Sequence, residues 1–275
     1  MSDRGFFVVA QNNATCDYIR QAYYLANSIK NSQRTFNQIS LMTNDTVPEQ
    51  YKSVFDHIIP IPFEDHASSS SWKVENRWKA YHASPYDKTI LLDADMLFFS
   101  DIEYIWKKLE TIPIFFTSSV TNFKGQTITD TVYRKTFIEN DLPNLYSGFC
   151  YFEKRDTSLE FWKLVEYITY NWKRFYYEFS PKQMQKFYSL DVTVSIAAKI
   201  LGIDNIINNT NICTFTHMKP QIQSIDVNHE DWTKSLQVEI YDSDTVFINN
   251  VRQTGILHYV EDSFLEEYIN VSRRR

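Results

Sequence analysis

The segment Lys88–Ile102, KTILLDADMLFFSDI, places two aspartates, Asp93 and Asp95, inside an otherwise apolar run. An ionised carboxylate taken out of water normally finds a cationic partner, binds a metal or becomes neutral. Residues two apart on an extended segment point to the same side. An extended reading therefore brings the two carboxylates together, with Ala94 keeping the space between them small. Two such groups repel unless a positive charge lies between them or a proton is shared. A hard divalent cation meets that need, and carboxylate oxygens suit Mg²⁺ or Mn²⁺. The plainer alternatives are a sheet end capped by Asp93 and an Asp95 paired with a lysine or arginine. A glycosidase-type acid pair fits the spacing less well, because it takes its carboxylates from separate segments several ångströms apart. A second D-x-D, Asp242-Ser243-Asp244, lies in a polar turn between two short apolar runs and reads as ordinary surface.

The elements that must position this pair read as an alternation of strands and helices. Phe6–Ala10 is a short apolar strand, followed by the polar cluster QNNATCD and a helical pattern over Asp17–Lys30, with Asp17 as its N-cap. Strands are expected at Gln38–Thr43, His57–Ile61, Thr89–Asp93 and Ile114–Ser118, and helices at Lys73–His82 and Ile102–Leu109. The serine run Ser68–Ser71 marks a loop. The second half is more irregular. It has a strand at Leu145–Phe152, an aromatic helix over Leu159–Phe175, a helix over Ser189–Leu201, and short strands at Val238–Tyr241, Val246–Asn249 and Ile256–Tyr259. The expected fold is α/β, a single domain with a mostly parallel sheet flanked by helices. In such sheets the ligand sits beyond the carboxyl ends of the strands, where the polar segments after FFVVA and after TILL would lie.

Composition narrows the function. The chain has 275 residues, is 43% hydrophobic and 23% charged, and carries a net charge of −6, which argues against a duplex nucleic-acid binder that needs a basic stripe. The run Arg273–Arg275 reads as a solvated tail. No apolar run approaches the ~18 residues needed to cross a membrane. The three widely spaced cysteines suggest neither a disulfide framework nor a zinc site, and the expected compartment is cytoplasmic. The glycosylation-type triplets at Asn13, Asn44, Asn208 and Asn270 are then chance matches.

Two histidines compete as a third metal ligand: His258, in ILHYVED, and His217, in FTHMKP. Asp191, opening DVTVSIAAKI, reads on its own as a helix N-cap. The aromatic stretch Asn171–Phe179 reads as a helix end packing into the core more readily than as an acceptor platform.

Read together, ILLDADMLFF, the preceding NRWKAYHASPYDK and the later LYSGFCYFEK resemble a nucleotide-sugar glycosyltransferase of the GT-A fold, closest to the retaining family-eight, glycogenin-like and galactosyltransferase-like group. The resemblance implies a Rossmann-like nucleotide-binding half over about 1–118 and an acceptor and sugar half over about 119–275. It implies that Asp95 binds the metal directly, that Asp93 binds metal and reaches the ribose, and that His258 rather than His217 completes the set. Ala10, Gln11 and Asn12 would hold the base, Tyr18 would stack near it, and Ala94 would lie against the nucleotide. Arg77 would contact the sugar phosphate, Ser147-Gly148 would line the sugar pocket, and Asp191 would contact the donor sugar. In two places the chain departs from the family pattern. Tyr146 stands where an asparagine is usual, and the run after His258 carries acids where the family has a diphosphate-binding lysine. Arg252, Lys219 and the arginine tail are the candidate substitutes.

The expected activity is therefore metal-dependent transfer of a sugar, a hexose by resemblance, from a UDP-sugar with retention of configuration. Mn²⁺ or Mg²⁺ would be the cofactor. The acceptor is open among glycan, protein and, with less support from the acidic balance, a modified nucleic-acid base. The rival readings are a metal-dependent nucleotide-sugar phosphohydrolase or nucleotidyltransferase, and a catalytically decayed sugar-nucleotide-binding protein.

Overall fold

The computed structural model describes residues 3–68, 70, 73–128, 131–203, 212–225, 232–242, 245–260, 264–266 and 268. Asn208, Asn270, Ser243, Asp244, the acids Glu261 and Asp262 and the Arg273–Arg275 tail lie outside these residues.

The central sheet is built from β1 (Arg4–Val9), β2 (Ile39–Met42), β3 (His57–Ile59), β4 (Lys88–Leu92), β6 (Ile114–Thr117) and β9 (Tyr146–Glu153), in the order β3-β2-β1-β4-β9-β6. The first four are mutually parallel, and β9 runs antiparallel to both neighbours. The alternation inside FFVV explains why the run has no polar face. Phe6 and Val8, with Ile90 and Leu92, pack on one side against Ala22, Leu25, Ala26 and Ile29 of the helix Tyr18–Ser32. Phe7 and Val9, with Leu91, pack on the other side against Phe161, Trp162 and Val165 of the helix Asp156–Tyr170 and against the helix Leu190–Leu201. A sheet covered on both faces demands near-continuous apolar strands.

From β1 the chain moves outward through β2 to β3, and then returns to place β4 on the opposite side of β1. The crevice between the carboxyl ends of β1 and β4 is thus the switch point at which open α/β sheets bind ligands.

A second sheet, in the order β5-β14-β10-β7-β8, meets that crevice; its strands are β5 (Met96–Phe98), β7 (Val120–Thr121), β8 (Thr127–Ile128), β10 (Thr216–His217) and β14 (Ile256–His258). A separate antiparallel sheet holds β11 (Val238–Asp242), β12 (Thr245–Ile248) and β13 (Val251–Arg252).

Several expectations are corrected. Asp93–Asp95 is not extended: it forms the turn that carries the chain from β4 in one sheet to β5 in the other. The helix expected over Lys73–His82 begins only at Arg77, as a 3₁₀ turn followed by Ala80–Ala83. Lys73 has φ of 56°, a left-handed conformation that a helix cannot contain, and its ammonium binds the carbonyls of Ala67 and Ser68. The aromatic helix is two helices, Asp156–Tyr170 and Trp172–Phe179, parted at Asn171, whose side chain donates to the Tyr167 carbonyl.

Candidate active site

The register of the second sheet assembles the site. Antiparallel pairing of β5 with β14 sets His258 opposite Met96, the residue that follows Asp95, and Tyr259 N–H donates to the Asp95 carbonyl (3.1 Å). His258 Nε2 therefore lies 3.0 Å from Asp95 Oδ1 and 3.8 Å from Asp93 Oδ2. One ligand atom from each of Asp93, Asp95 and His258 falls within 4.8 Å of the other two. Two hard oxygens with one imidazole nitrogen form a donor set that fits Mn²⁺ or Mg²⁺. Burial favours the neutral form of Asp95, but the adjacent His258 outweighs it and holds this carboxyl below the usual range.

His217 stands behind this cluster. It pairs in register with His258 across β10 and β14, and the two rings stack 4.6 Å apart. Burial, then the nearby charges of His258 and Lys219, hold the His217 imidazole neutral, well below 6.5. In the unfolded chain it titrates near 6.5, so below that pH the unfolded state takes up a proton that the folded state refuses. The stability His217 confers above pH 6.5 is lost as pH falls through that value, by up to about 1.4 kcal/mol per pH unit. Metal-free His217→Gln should show a flatter dependence of its urea midpoint between about pH 7.5 and 5.5. Parallel profiles for the two proteins would contradict this placement.

Arg77 supplies the fixed cation. It is buried, its Nη1 pairs directly with Asp93 Oδ1, and its Nη2 donates to the Ser147 carbonyl (3.0 Å). One Asp93 oxygen is thereby neutralised while the other faces His258. The small residue at 148 has a geometric cause: a Cβ there would come 2.8 Å from Asp93 Oδ2 and 3.2 Å from the Met96 methyl, while Gly148 O accepts the Asp93 N–H (2.9 Å). Gly148→Ala should displace this carboxylate and weaken Mn²⁺ binding by about tenfold or more, with secondary structure unchanged. Paramagnetic-resonance titration of Mn²⁺ measures it.

A cleft of about 420 Å³ opens in front of these groups, lined among others by Gln11, Tyr18, Arg77, Asp93, Asp95 and His258. This is within the usual range for a small-molecule site. Ala94 also lines it. Of the three residues expected at the base, Gln11 reaches the cleft. Ala10 is buried, and the Asn12 side chain accepts from the Ile19 N–H (3.0 Å). Gln11 is locked in place: its amide donates to Asp65 Oδ2 (2.7 Å) and accepts from Asn76 Nδ2 (2.7 Å), which also donates to Asp65 Oδ1 (2.6 Å). Burial opposes the charge on Asp65, yet these two amides keep it below the usual carboxylate range.

On the β9 side, Asp191 Oδ1 accepts from both N–H and Oγ of Ser147 (2.8 and 2.7 Å), and Oδ2 pairs with Arg134 (2.6 Å). Burial raises the Asp191 carboxyl, but Arg134 and Ser147 hold it below the usual range. Arg134 is a component that sequence reasoning missed. Its guanidinium also donates to Asn144 Oδ1 and to the Leu145 carbonyl, and it lies between the rings of Phe137 and Tyr146, 3.9 and 4.0 Å from their centroids. Tyr146, the departure from the family's asparagine, thus covers the arginine that fixes Asp191. Nothing local in TVYRK signals this role; the partners come from β9 and a distant helix.

The galactosyltransferase LgtC, solved in complex with donor and acceptor sugar analogs, shares this architecture with a TM-score of 0.51 at 13% identity, over 94% of this chain and 87% of that one. The chain has a GT-A fold. An active-site mutant of LgtC gives 0.50 at 12% identity over the same shares. Mouse xyloside xylosyltransferase 1 gives 0.49 at 10% identity, over 75% of this chain and 84% of that one. No protein-family model matches the sequence, and no curated protein is similar to it at a significant level. Among the candidates for the missing lysine, the GT-A frame separates two. Arg252 lies on β13 and lines a different depression, whereas Lys219 lines the cleft itself.

Proposed function

We propose that this chain is a metal-dependent glycosyltransferase that moves a sugar from a nucleoside diphosphate, UDP by the resemblance above, to an acceptor hydroxyl. The observation that carries the reading is the convergence of Asp93, Asp95 and His258 at the switch point of a GT-A sheet. The whole chain acts as one catalytic domain, with the nucleotide held by its first half. Gln11 and Tyr18 face the base, and Asp93, Asp95 and His258 hold Mn²⁺ or Mg²⁺.

A divalent ion bound there stabilises the charge that develops on a departing diphosphate. The bond from the anomeric carbon to the diphosphate oxygen breaks, and its electron pair leaves with the diphosphate. The acceptor oxygen forms the new bond, and its proton passes to the departing phosphate. Arg77, fixed by Asp93 and the Ser147 carbonyl, presents a planar cation to phosphate oxygens. Asp191 is already engaged by three donors, so it orients the sugar's hydroxyls rather than attacking carbon. Transfer then proceeds on the front face with retention.

The chain works in a reduced, cytoplasmic setting, the expectation from its few, widely spaced cysteines; no described helix is long and apolar enough to cross a membrane. A thermal-shift screen of UDP-sugars with and without Mn²⁺ tests donor, base and metal together. Stabilisation by a UDP-sugar only when Mn²⁺ is present, with slow release of UDP, is the expected result. Release of UMP would contradict transfer and indicate phosphohydrolysis.

A further inference from the structure

The cleft needs one more cation than its ligand set supplies. On the reading just proposed, two carboxylates and the doubly charged diphosphate of an intact donor face one guanidinium and a divalent ion, which leaves one net negative charge. Breaking the bond to the sugar raises this to two until the acceptor's proton reaches the phosphate. In a partly enclosed site such an excess opposes the leaving group unless a positive group is already aimed at it.

Two lysines line the cleft, Lys73 and Lys219. The Lys73 ammonium is committed to the carbonyls of Ala67 and Ser68 (2.8 and 2.6 Å). The Lys219 ammonium makes no side-chain hydrogen bond or ion pair among the described residues. Its backbone, in contrast, is fixed. Met218 N–H donates to the His258 carbonyl (2.9 Å), Lys219 N–H to the His217 carbonyl (2.9 Å), and Ile222 N–H back to the Lys219 carbonyl (3.0 Å). A lysine whose ammonium is unpaired among the described residues is thus carried on a braced turn beside the strand that bears His258.

We propose that Lys219 is the cation that meets the terminal phosphate of the leaving diphosphate, entering the cleft from the end of β10 rather than from the segment after His258. It rests on the glycosyltransferase reading for its substrate, but its anion-binding part can be tested alone. Calorimetry on Mn²⁺-saturated protein with UDP, UMP and inorganic pyrophosphate, for wild type, Lys219→Met and Lys219→Arg, separates the cases.

Lys219→Met should weaken UDP and pyrophosphate by about tenfold or more, the loss of one charge-assisted contact, and leave UMP nearly unchanged. Lys219→Arg should restore part of the affinity, and Mn²⁺ binding without nucleotide should be the same in all three. Equal pyrophosphate affinity in wild type and Lys219→Met overturns the assignment, as does an equal loss for UMP and UDP. Wild type that binds pyrophosphate through Lys219 but shows no preference for UDP supports the assignment and overturns the nucleotide reading instead.

Discussion

Asp95→Ala should abolish metal-dependent turnover, with kcat reduced about 1,000-fold or more, while the metal-free protein stays folded with at most a modest loss of stability. A bound cation supplies several kcal/mol of charge stabilisation in the transition state, and each 1.36 kcal/mol corresponds to a factor of about ten in rate. Of the three ligand residues, Asp95 has least support besides the metal: His258 Nε2 is its one side-chain ion-pair partner among the described residues, whereas Asp93 is also held by Arg77. In the metal-free site His258 already outweighs the desolvation of this carboxylate, so its removal forfeits one ion pair and costs modest stability. Loss of activity with at most a small fall in melting temperature therefore separates a metal ligand from a structural ion pair. Steady-state release of UDP at saturating Mn²⁺, with calorimetric melting in chelator, measures both. A marked loss of stability in chelator would assign Asp95 to the fold instead.

Arg134→Met should be the most destabilising single change near the site. Its guanidinium is buried, pairs with Asp191 and two carbonyl oxygens, and fills the space between Phe137 and Tyr146. Its removal leaves the Asp191 carboxylate without its ion-pair partner, and breaking a buried pair in this way costs about 3–5 kcal/mol. For a chain of this length that corresponds to a fall in melting temperature of roughly 10 °C. The double variant Arg134→Met with Asp191→Asn should recover much of the stability, because no unpaired charge remains, and none of the activity. A mild effect of Arg134→Met, or an additive double variant, would show that the pair is not coupled.

The parts legible in the sequence were those with a local signature. FFVV and TILL have the apolar continuity of strands buried on both faces, and Asp17 caps its helix through the Arg20 N–H as its position before the periodic run requires. The aspartates were conspicuous because they interrupt such a run. The route by which they converge was not legible. They lie in a turn between two sheets, and what brings them to His258 is the pairing of β5 and β14, three-residue strands some 160 positions apart in the chain. Segments this short carry no periodicity. The same limit hid Arg134, since a lone arginine in an irregular stretch acquires meaning only from Asp191 and Tyr146. It also hid the broken start of the Arg77 helix, where a backbone conformation at Lys73 overrides a favourable pattern.

The most direct test of the central claim is a Mn²⁺ titration followed by paramagnetic resonance, with and without UDP. One ion per chain is expected, its affinity rising at least about tenfold when UDP is present and lost in Asp95→Ala. Mn²⁺ that stays free at millimolar concentration with UDP, or binds equally well to the variant, would contradict a cation held between these two carboxylates and His258.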